Sequence, residues 1–264
     1  MTGYIRTDYP LAQKLSWMTT KTEMLRYAAH LPLSGIGKAG LLRIRDAHIA
    51  MVGIGGLGCA AAQYLVSSGI GKLTLCDYDT VTESNLSRQI LYNANNLGQL
   101  KTDAALSSLQ SLNPDTELRS ITGRMHDENM QSLFPDCDLV IDASDNYGTR
   151  LAVNRSCLGL GIPWIMASCI RMEGQVMLLR PDLPEQACYR CAYGEAPDAL
   201  EDCPGAGIFA PVAGIAGASA AHFALAYLAG MQAPEGLHLF DATNWAWRSL
   251  KIPKIPNCQD CSTL

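Results

Sequence analysis

Residues 48–59 read His-Ile-Ala-Met-Val-Gly53-Ile-Gly55-Gly56-Leu-Gly58-Cys. A short apolar run, 48–53, has strand character, and a helix is predicted over 57–68, stopped by Gly69. Between them Gly53, Gly55 and Gly58 keep G-x-G-x-x-G spacing. Glycines there permit a tight turn and let a phosphate approach the backbone. The helix N-terminus behind them offers free N–H groups and partial positive charge. The next predicted strand, 72–77, ends in Asp77, where folds of this kind hold ribose hydroxyls. A tight turn that merely packs a helix on a sheet explains the glycines but not that acid.

The alternation continues downstream. A helix is predicted over 101–112, stopped at Asn113-Pro114, then strands over 117–122 and 138–142. A helix over 147–160 and a strand over 163–168 follow. Repeated β-α-β order implies a parallel, doubly wound sheet. Beyond residue 171 the pattern changes, and 175–180, 237–240 and 245–251 read as strands without intervening helices. The expected fold class is therefore α/β: a Rossmann-like, mostly parallel doubly wound sheet with an antiparallel C-terminal extension. The expected organisation is one domain over 1–264: a helical N-terminal segment 1–45, a nucleotide-binding half 46–170, and an antiparallel, metal-binding half 171–264.

Composition bounds the function. Of 264 residues, 17% are charged and 48% hydrophobic, which excludes a disordered chain and fits extensive buried or interface surface. A net charge of -5 argues against nucleic-acid binding by bulk charge. Residues 1–30 show no secretory apolar core, so the 10 cysteines read as reduced thiols in a cytoplasmic protein. Residues 205–230 lack any charged side chain apart from His222 and approach the roughly 20 apolar residues of a membrane span. Small residues dominate there and Pro211 sits early. A helix starting near Pro211, buried in the core or at a subunit interface, is expected instead of a span, with His222 a core or interface histidine.

The residues after Asp77 do not suit a nicotinamide dehydrogenase. Asp79, Asn85, Arg88, Gln89 and Lys101 place two cations and amide donors near the nucleotide. Such groups suit a triphosphate whose charge must be neutralised during reaction. Taken singly, Lys101 also reads as a solvent-facing helix residue and Arg88 as a surface ion pair. The strand at 138–142 ends in Asp142-Ala-Ser-Asp145-Asn146. Asp145 is placed to hold Mg2+, which needs one or two carboxylates, while Asp142 suits that role less than a turn or helix cap. Two CxxC pairs, Cys188/Cys191 and Cys258/Cys261, match a closed tetrahedral Zn2+ site. With no open position that zinc would be structural, clipping the tail to the middle of the chain. The other reading is two unrelated reduced pairs or a redox dithiol.

In this order the motifs resemble those of the ubiquitin-activating-like adenylyltransferases MoeB, ThiF and HesA. The matching elements are the glycine turn with Cys59, Asp77-Tyr-Asp79, Asn85-Leu-Ser-Arg88-Gln89, Lys101, Ser144-Asp145-Asn146 and Arg150. They continue through Arg171-Met-Glu-Gly174-Gln175, the first CxxC, Cys203 in Cys-Pro-Gly-Ala-Gly-Ile-Phe-Ala-Pro, and the terminal CxxC, covering residues 23 to 264. The resemblance implies ATP, Mg2+ and Zn2+ as cofactors and a homodimer with sites near its interface. It implies adenylation of the C-terminal glycine of a small ubiquitin-like sulfur carrier, MoaD-like for molybdopterin or ThiS-like for thiamine synthesis, with release of pyrophosphate. A sulfur donor such as a cysteine desulfurase would then give the thiocarboxylate.

The resemblance also implies roles. Arg88, Lys101 and Asp145 would be catalytic. Gly53, Gly55, Gly56, Gly58, Asp77, Asp79, Asn85, Gln89 and Asn146 would join them in binding the nucleotide. Cys203 has an acyl- or sulfur-transfer role in such relatives, and equally reads as an inert loop cysteine. The family commonly carries Arg-Tyr-x-Arg-Gln near its N-terminus, the second arginine reaching into the partner subunit's site. Here the stretch is Arg26-Tyr27-Ala28-Ala29-His30, with Ala29 in place of that arginine. Loss of such a cation costs orders of magnitude in phosphoryl-type chemistry. Two other readings therefore stay open: adenylation of a peptide in natural-product assembly, or a catalytically weakened, nucleotide-binding regulatory dimer. Trp245 and Trp247 alternate on the last strand and suit either a core face or a carrier-docking surface.

Overall fold

The computed structural model describes residues 25–183, 185–194 and 207–262. Its regular elements are α1 (Gly37–Asp46), β1 (His48–Val52), α2 (Gly56–Ser67), β2 (Lys72–Asp77), α3 (Lys101–Leu112) and β3 (Glu117–Thr122). Then come α4 (Asp127–Leu133), β4 (Leu139–Asp142), α5 (Tyr147–Leu160), β5 (Trp164–Ile170) and β6 (Glu173–Leu179). The chain closes with α6 (Tyr189–Tyr193), α7 (Ala210–Leu228), β7 (Leu237–Asp241) and β8 (Ala246–Leu250). One eight-stranded sheet runs β3-β2-β1-β4-β5-β6-β7-β8. Pairing is parallel from β3 to β5 and antiparallel from β5 to β8. The expected α/β class holds, with its antiparallel extension.

The central strands β1, β2 and β4 are buried on both faces because helices cover both. Ile49 and Met51 of β1, Leu139 and Ile141 of β4, and Ile165 of β5 enter one core with α2, α3 and α7. Ala50, Val52, Val140, Trp164 and Met166 enter the other, with Met130 of α4, Val153 of α5 and Tyr189 of α6. Successive side chains thus go to opposite layers, as strand geometry requires.

By length and composition α7 could cross a membrane, yet half of its apolar window is buried inside the fold. It begins with Pro in its first turn, as expected from Pro211. Small residues let it lie close on α2: a Cβ built on Gly217 would come within 2.3 Å of the Leu57 carbonyl oxygen and 3.0 Å of Ala60 Cβ. Its carbonyl end is capped from α1, where the Arg43 guanidinium donates to Leu228 O and Ala229 O.

Several expectations need correction. The short α4 was absent from the sequence reading, since its segment is polar and only Met130 is buried. Strand β5 runs on to Ile170, because the two-residue turn Arg171-Met172 returns the chain directly into β6. Arg171 adopts a left-handed φ of 54°, held by Arg171 N–H to Gly207 O and Phe209 N–H to Arg171 O. Trp245 is not part of β8. It sits at φ 51° in the turn after Asp241, whose Oδ1 accepts from Thr243 and Asn244 N–H. His222 is exposed on the outer side of α7, so it is not a core histidine.

Candidate active site and metal centre

Strand order reverses between β1 and β4, the crevice where open α/β sheets bind ligands. Val52 and Asp142, the last residues of these strands, are register partners. The two following turns touch: a Cβ on Gly53 would lie 2.9 Å from the Ala143 carbonyl carbon and oxygen. Gly53 also has φ 88°, which a side chain strains.

The four glycines do different work. Gly58 packs α2 on β1, since a Cβ there would fall 2.2 Å from Gly53 O. Gly56 faces Ala213 of α7 at 3.1 Å and Arg88 O at 3.4 Å. Gly55 alone of the four is open, with nothing nearer its Cβ position than Gln89 Nε2 at 3.9 Å. No side chain caps α2, which leaves its positive end to an anion. The turn is braced by Tyr92, a buried side chain absent from the sequence reading, whose hydroxyl donates to Ile54 O at 2.9 Å. No motif marked it; only the packing reveals it.

Asp77, 9% exposed, accepts from Ile54 N–H at 2.7 Å and from Asp79 N–H at 2.9 Å. Each carboxylate oxygen keeps a second lone pair for a ribose hydroxyl. Lys101 is the larger surprise. It is 6% exposed, not solvent-facing, and its ammonium pairs with Asp79 at 2.7 Å. Among the described residues Arg88 has no ion-pair partner; its guanidinium donates to Ser84 O at 2.9 Å. Gln89 is buried with its Oε1 unpartnered. Asn85 turns inward structurally, its Oδ1 accepting from Thr82 N–H at 3.3 Å.

At the end of β4, Asp142 is fully buried and its Oδ1 caps the turn by accepting from Ser144 N–H at 2.8 Å. Burial pushes its carboxyl above the usual range, opposed chiefly by the Arg150 guanidinium. Asp145 is exposed. Asn146 spends its Oδ1 as the N-cap of α5, accepting from Thr149 N–H at 2.9 Å. Cys169 lies near Arg150 and Arg88, yet burial dominates and its thiol is pushed up to about 11. It is thus unsuited to act as a thiolate near neutral pH. Cys203 lies outside the described residues.

The two CxxC pairs, distant in sequence, converge. All four sulfur atoms lie within 4.8 Å of one another and the cluster is buried. Cys188 Sγ stands 3.8 Å from Cys191 Sγ and 3.6 Å from Cys258 Sγ, and Cys191 Sγ 3.6 Å from Cys261 Sγ. A tetrahedron with metal–sulfur bonds of about 2.3 Å has edges of about 3.8 Å. Four buried thiolates that close repel one another unless a cation sits between them. The donor set fits a metal ion.

The ThiF family profile matches residues 27–262. The chain is 39% identical over 246 residues to the molybdopterin-synthase adenylyltransferase of Salmonella typhimurium, covering 90% of this chain and 96% of that protein. It is 36% identical over 240 residues to the sulfur carrier protein ThiS adenylyltransferase of Escherichia coli, covering 90% and 95%. Among solved structures, E. coli MccB with ATP superposes with a TM-score of 0.75 at 22% identity, covering 84% of this chain and 69% of that one. PaaA gives a TM-score of 0.76 at 20% identity, covering 96% and 79%. These two likenesses concern the fold.

Proposed function

This chain belongs to the ThiF family and is an adenylyltransferase, and on that premise we propose how its residues divide the work. The reaction is ATP-dependent adenylation of the C-terminal glycine carboxylate of a small ubiquitin-like sulfur carrier, as in molybdopterin and thiamine biosynthesis. The carboxylate oxygen forms a bond to the α-phosphorus, the bond to the β-phosphate oxygen breaks, and pyrophosphate leaves. The acyl-adenylate is then open to a sulfur donor such as a cysteine desulfurase.

The observation that carries this reading is the contact between the Gly53 turn and the Asp142–Asp145 turn at the sheet's switch point. It sets an open phosphate cradle beside an exposed carboxylate. The acyl carboxylate is ionised near pH 7, so no general base is needed. The difficulty is bringing one anion onto another. Gly55 and the free end of α2 receive phosphate, Asp77 fixes the ribose, and Lys101 and Arg88 offset negative charge on the α-phosphate and leaving group. Lys101 is suited to this because it is buried beside Asp79, so its ammonium is fixed in place before substrate arrives. Asp145 would hold Mg2+, which would supply positive charge against the phosphates. Zn2+ in the four-cysteine cluster would be structural, with no open coordination position. The working unit is a cytoplasmic homodimer; its buried free thiols suit a reducing compartment.

One observation favours a second reading. Ala29 is exposed in a turn, and Arg26 donates to Leu112 O at the end of α3. Arg26 is thus occupied within its own subunit and does not stand in for the absent arginine. A nucleotide-binding dimer with weakened catalysis would follow from that loss. ATP–pyrophosphate exchange with Mg2+, measured with MoaD-like and ThiS-like carriers separately, separates the two. Exchange that depends on one carrier and disappears in Asp145→Ala supports adenylation. ATP binding without exchange, with either carrier, supports the regulatory dimer.

A further inference from the structure

We propose that Arg150 is a positioning residue for the adenylation reaction: from beside the metal knot's Tyr189 it clamps the turn that presents Asp145. The inference rests on the reading of Asp145 as the magnesium-holding carboxylate.

The geometry is a clamp on both sides of one residue. Ser144 precedes Asp145, and both of its backbone polar groups are taken. Its N–H donates to Asp142 Oδ1 at 2.8 Å, and its carbonyl accepts from Arg150 Nη2 at 2.7 Å. Asn146 follows Asp145 and is fixed as the N-cap of α5. Asp145 itself is exposed and carries no such restraint. Its carboxylate is therefore aimed by its neighbours, and Arg150 supplies one of the hydrogen bonds that hold them.

Arg150 is not free to swing. It projects from the first turns of α5 and lies near the Tyr189 side chain and the buried Asp142 carboxylate. Tyr189 stands between the two metal-binding cysteines Cys188 and Cys191 and is 1% exposed. Its N–H donates to Asn154 Oδ1 at 3.0 Å, and Asn154 Nδ2 donates to Asp260 Oδ2 at 2.8 Å, inside the second CxxC. The Arg190 guanidinium pairs with the same carboxylate at 2.9 Å. Tyr189, whose backbone is tied to both halves of the knot, thus lies beside the arginine that holds the Ser144 carbonyl. Arg150 Nε and Asp142 Oδ2 are buried with no hydrogen-bond partner. A pair kept only for stability would be expected to satisfy those atoms; here the guanidinium is turned to the turn's carbonyl.

Partners of a metal-binding carboxylate set its direction, and their loss commonly weakens metal affinity by about 10- to 100-fold. The test uses the full chain with ATP and Mn2+ as a magnetic probe of the magnesium position. Mn2+ affinity of the protein–ATP complex is measured by water-proton relaxation, alongside ATP affinity without metal and thermal stability. Arg150→Met should raise the half-saturating Mn2+ concentration by about 10- to 100-fold and leave metal-free ATP affinity unchanged. Arg150→Lys keeps the charge but not the planar fork, and should fall between. Tyr189→Phe removes the hydroxyl beside Arg150 and should shift Mn2+ affinity in the same direction. A merely structural arginine would lower the melting temperature with Mn2+ affinity intact, and that result overturns the proposal. If Arg150→Met does not fold, wild-type Mn2+ affinity in both Arg150→Lys and Tyr189→Phe overturns it equally. No carrier enters the assay. A wild-type chain that binds Mn2+ and ATP here but gives no pyrophosphate exchange when carrier is supplied counts against the proposed reaction and leaves the Arg150 result standing. Undiminished Mn2+ affinity in Asp145→Ala overturns the magnesium assignment and this inference with it.

Discussion

At the residue scale, Gly55 and Gly58 look alike in the sequence and differ in the fold. A methyl group at Gly58 would lie 2.2 Å from a backbone oxygen that cannot move without dragging the strand. Gly58→Ala should therefore cost stability at the upper end of the ~1–3 kcal/mol typical of overpacking, read as a fall in denaturation midpoint. Among the described residues a methyl at Gly55 meets nothing closer than 3.9 Å, and the backbone there is extended, with φ -85°. Gly55→Ala should keep the melting temperature and weaken ATP binding by about 10-fold or more, the worth of one lost hydrogen bond to a charged group. Isothermal titration with ATP checks this contrast. Lys101 gives the third case. Its partner Asp79 is half exposed, so losing the pair costs stability of only about 1 kcal/mol or less after solvent screening. The ammonium's effect on developing charge is larger, and Lys101→Met should reduce pyrophosphate exchange by about 100- to 1,000-fold.

At the element scale, the knot joins α6, whose Tyr189 is buried in the core, to the tail beyond β8. Helix α6 has five residues, too few to be stable alone. Removing the metal, or making Cys258→Ser, should release the segment beyond β8 to protease and lower the melting temperature. A loss of about 2 kcal/mol corresponds to roughly 4–8 °C in a chain of this size. Metal analysis should find one zinc per chain, and the serine variant none. The elements also show what the sequence made legible. Strands β2 and β3 and helices α3 and α5 were readable to the residue, because turn glycines, Asn113-Pro114 and alternating apolar residues bound them. The glycine turn, Asp77 and the converging cysteines were readable because their chemistry needs fixed residue types. Helix α4 was not, having one buried residue and no apolar stripe. Trp245 misled because an aromatic beside a strand pattern reads as strand, whereas the Asp241 carboxylate bends the chain and leaves Trp245 left-handed. The burial of Lys101, the brace at Tyr92 and the clamp at Arg150 depend on contacts between distant segments, which no local pattern carries.

At the scale of the whole molecule, the two cores on either face of the sheet share a consequence for alkaline stability. Cys59 lies in the core with α2 and α7, while Cys76 and Cys137 lie in the opposite one. Burial pushes each of these thiols from the ordinary 9.0 up to about 12. The sign follows from proton counting. Above pH 9 the unfolded chain releases these protons while the folded chain keeps them, so the unfolded state binds fewer protons and stability falls as pH rises. The contribution is fully present below pH 9 and is lost between about 9 and 12. Each thiol should remove roughly 1.4 kcal/mol per pH unit across that window. Cys76→Ala isolates one of them. The variant loses some packing at every pH, a constant offset, but it should close the gap on the wild type by that slope as pH rises from 9. Denaturant midpoints at pH 7.5, 9.5 and 10.5, all set by experiment, read the difference. A pH-independent gap would mean that the Cys76 thiol ionises as readily in the fold as in the unfolded chain, and that the core around it admits water.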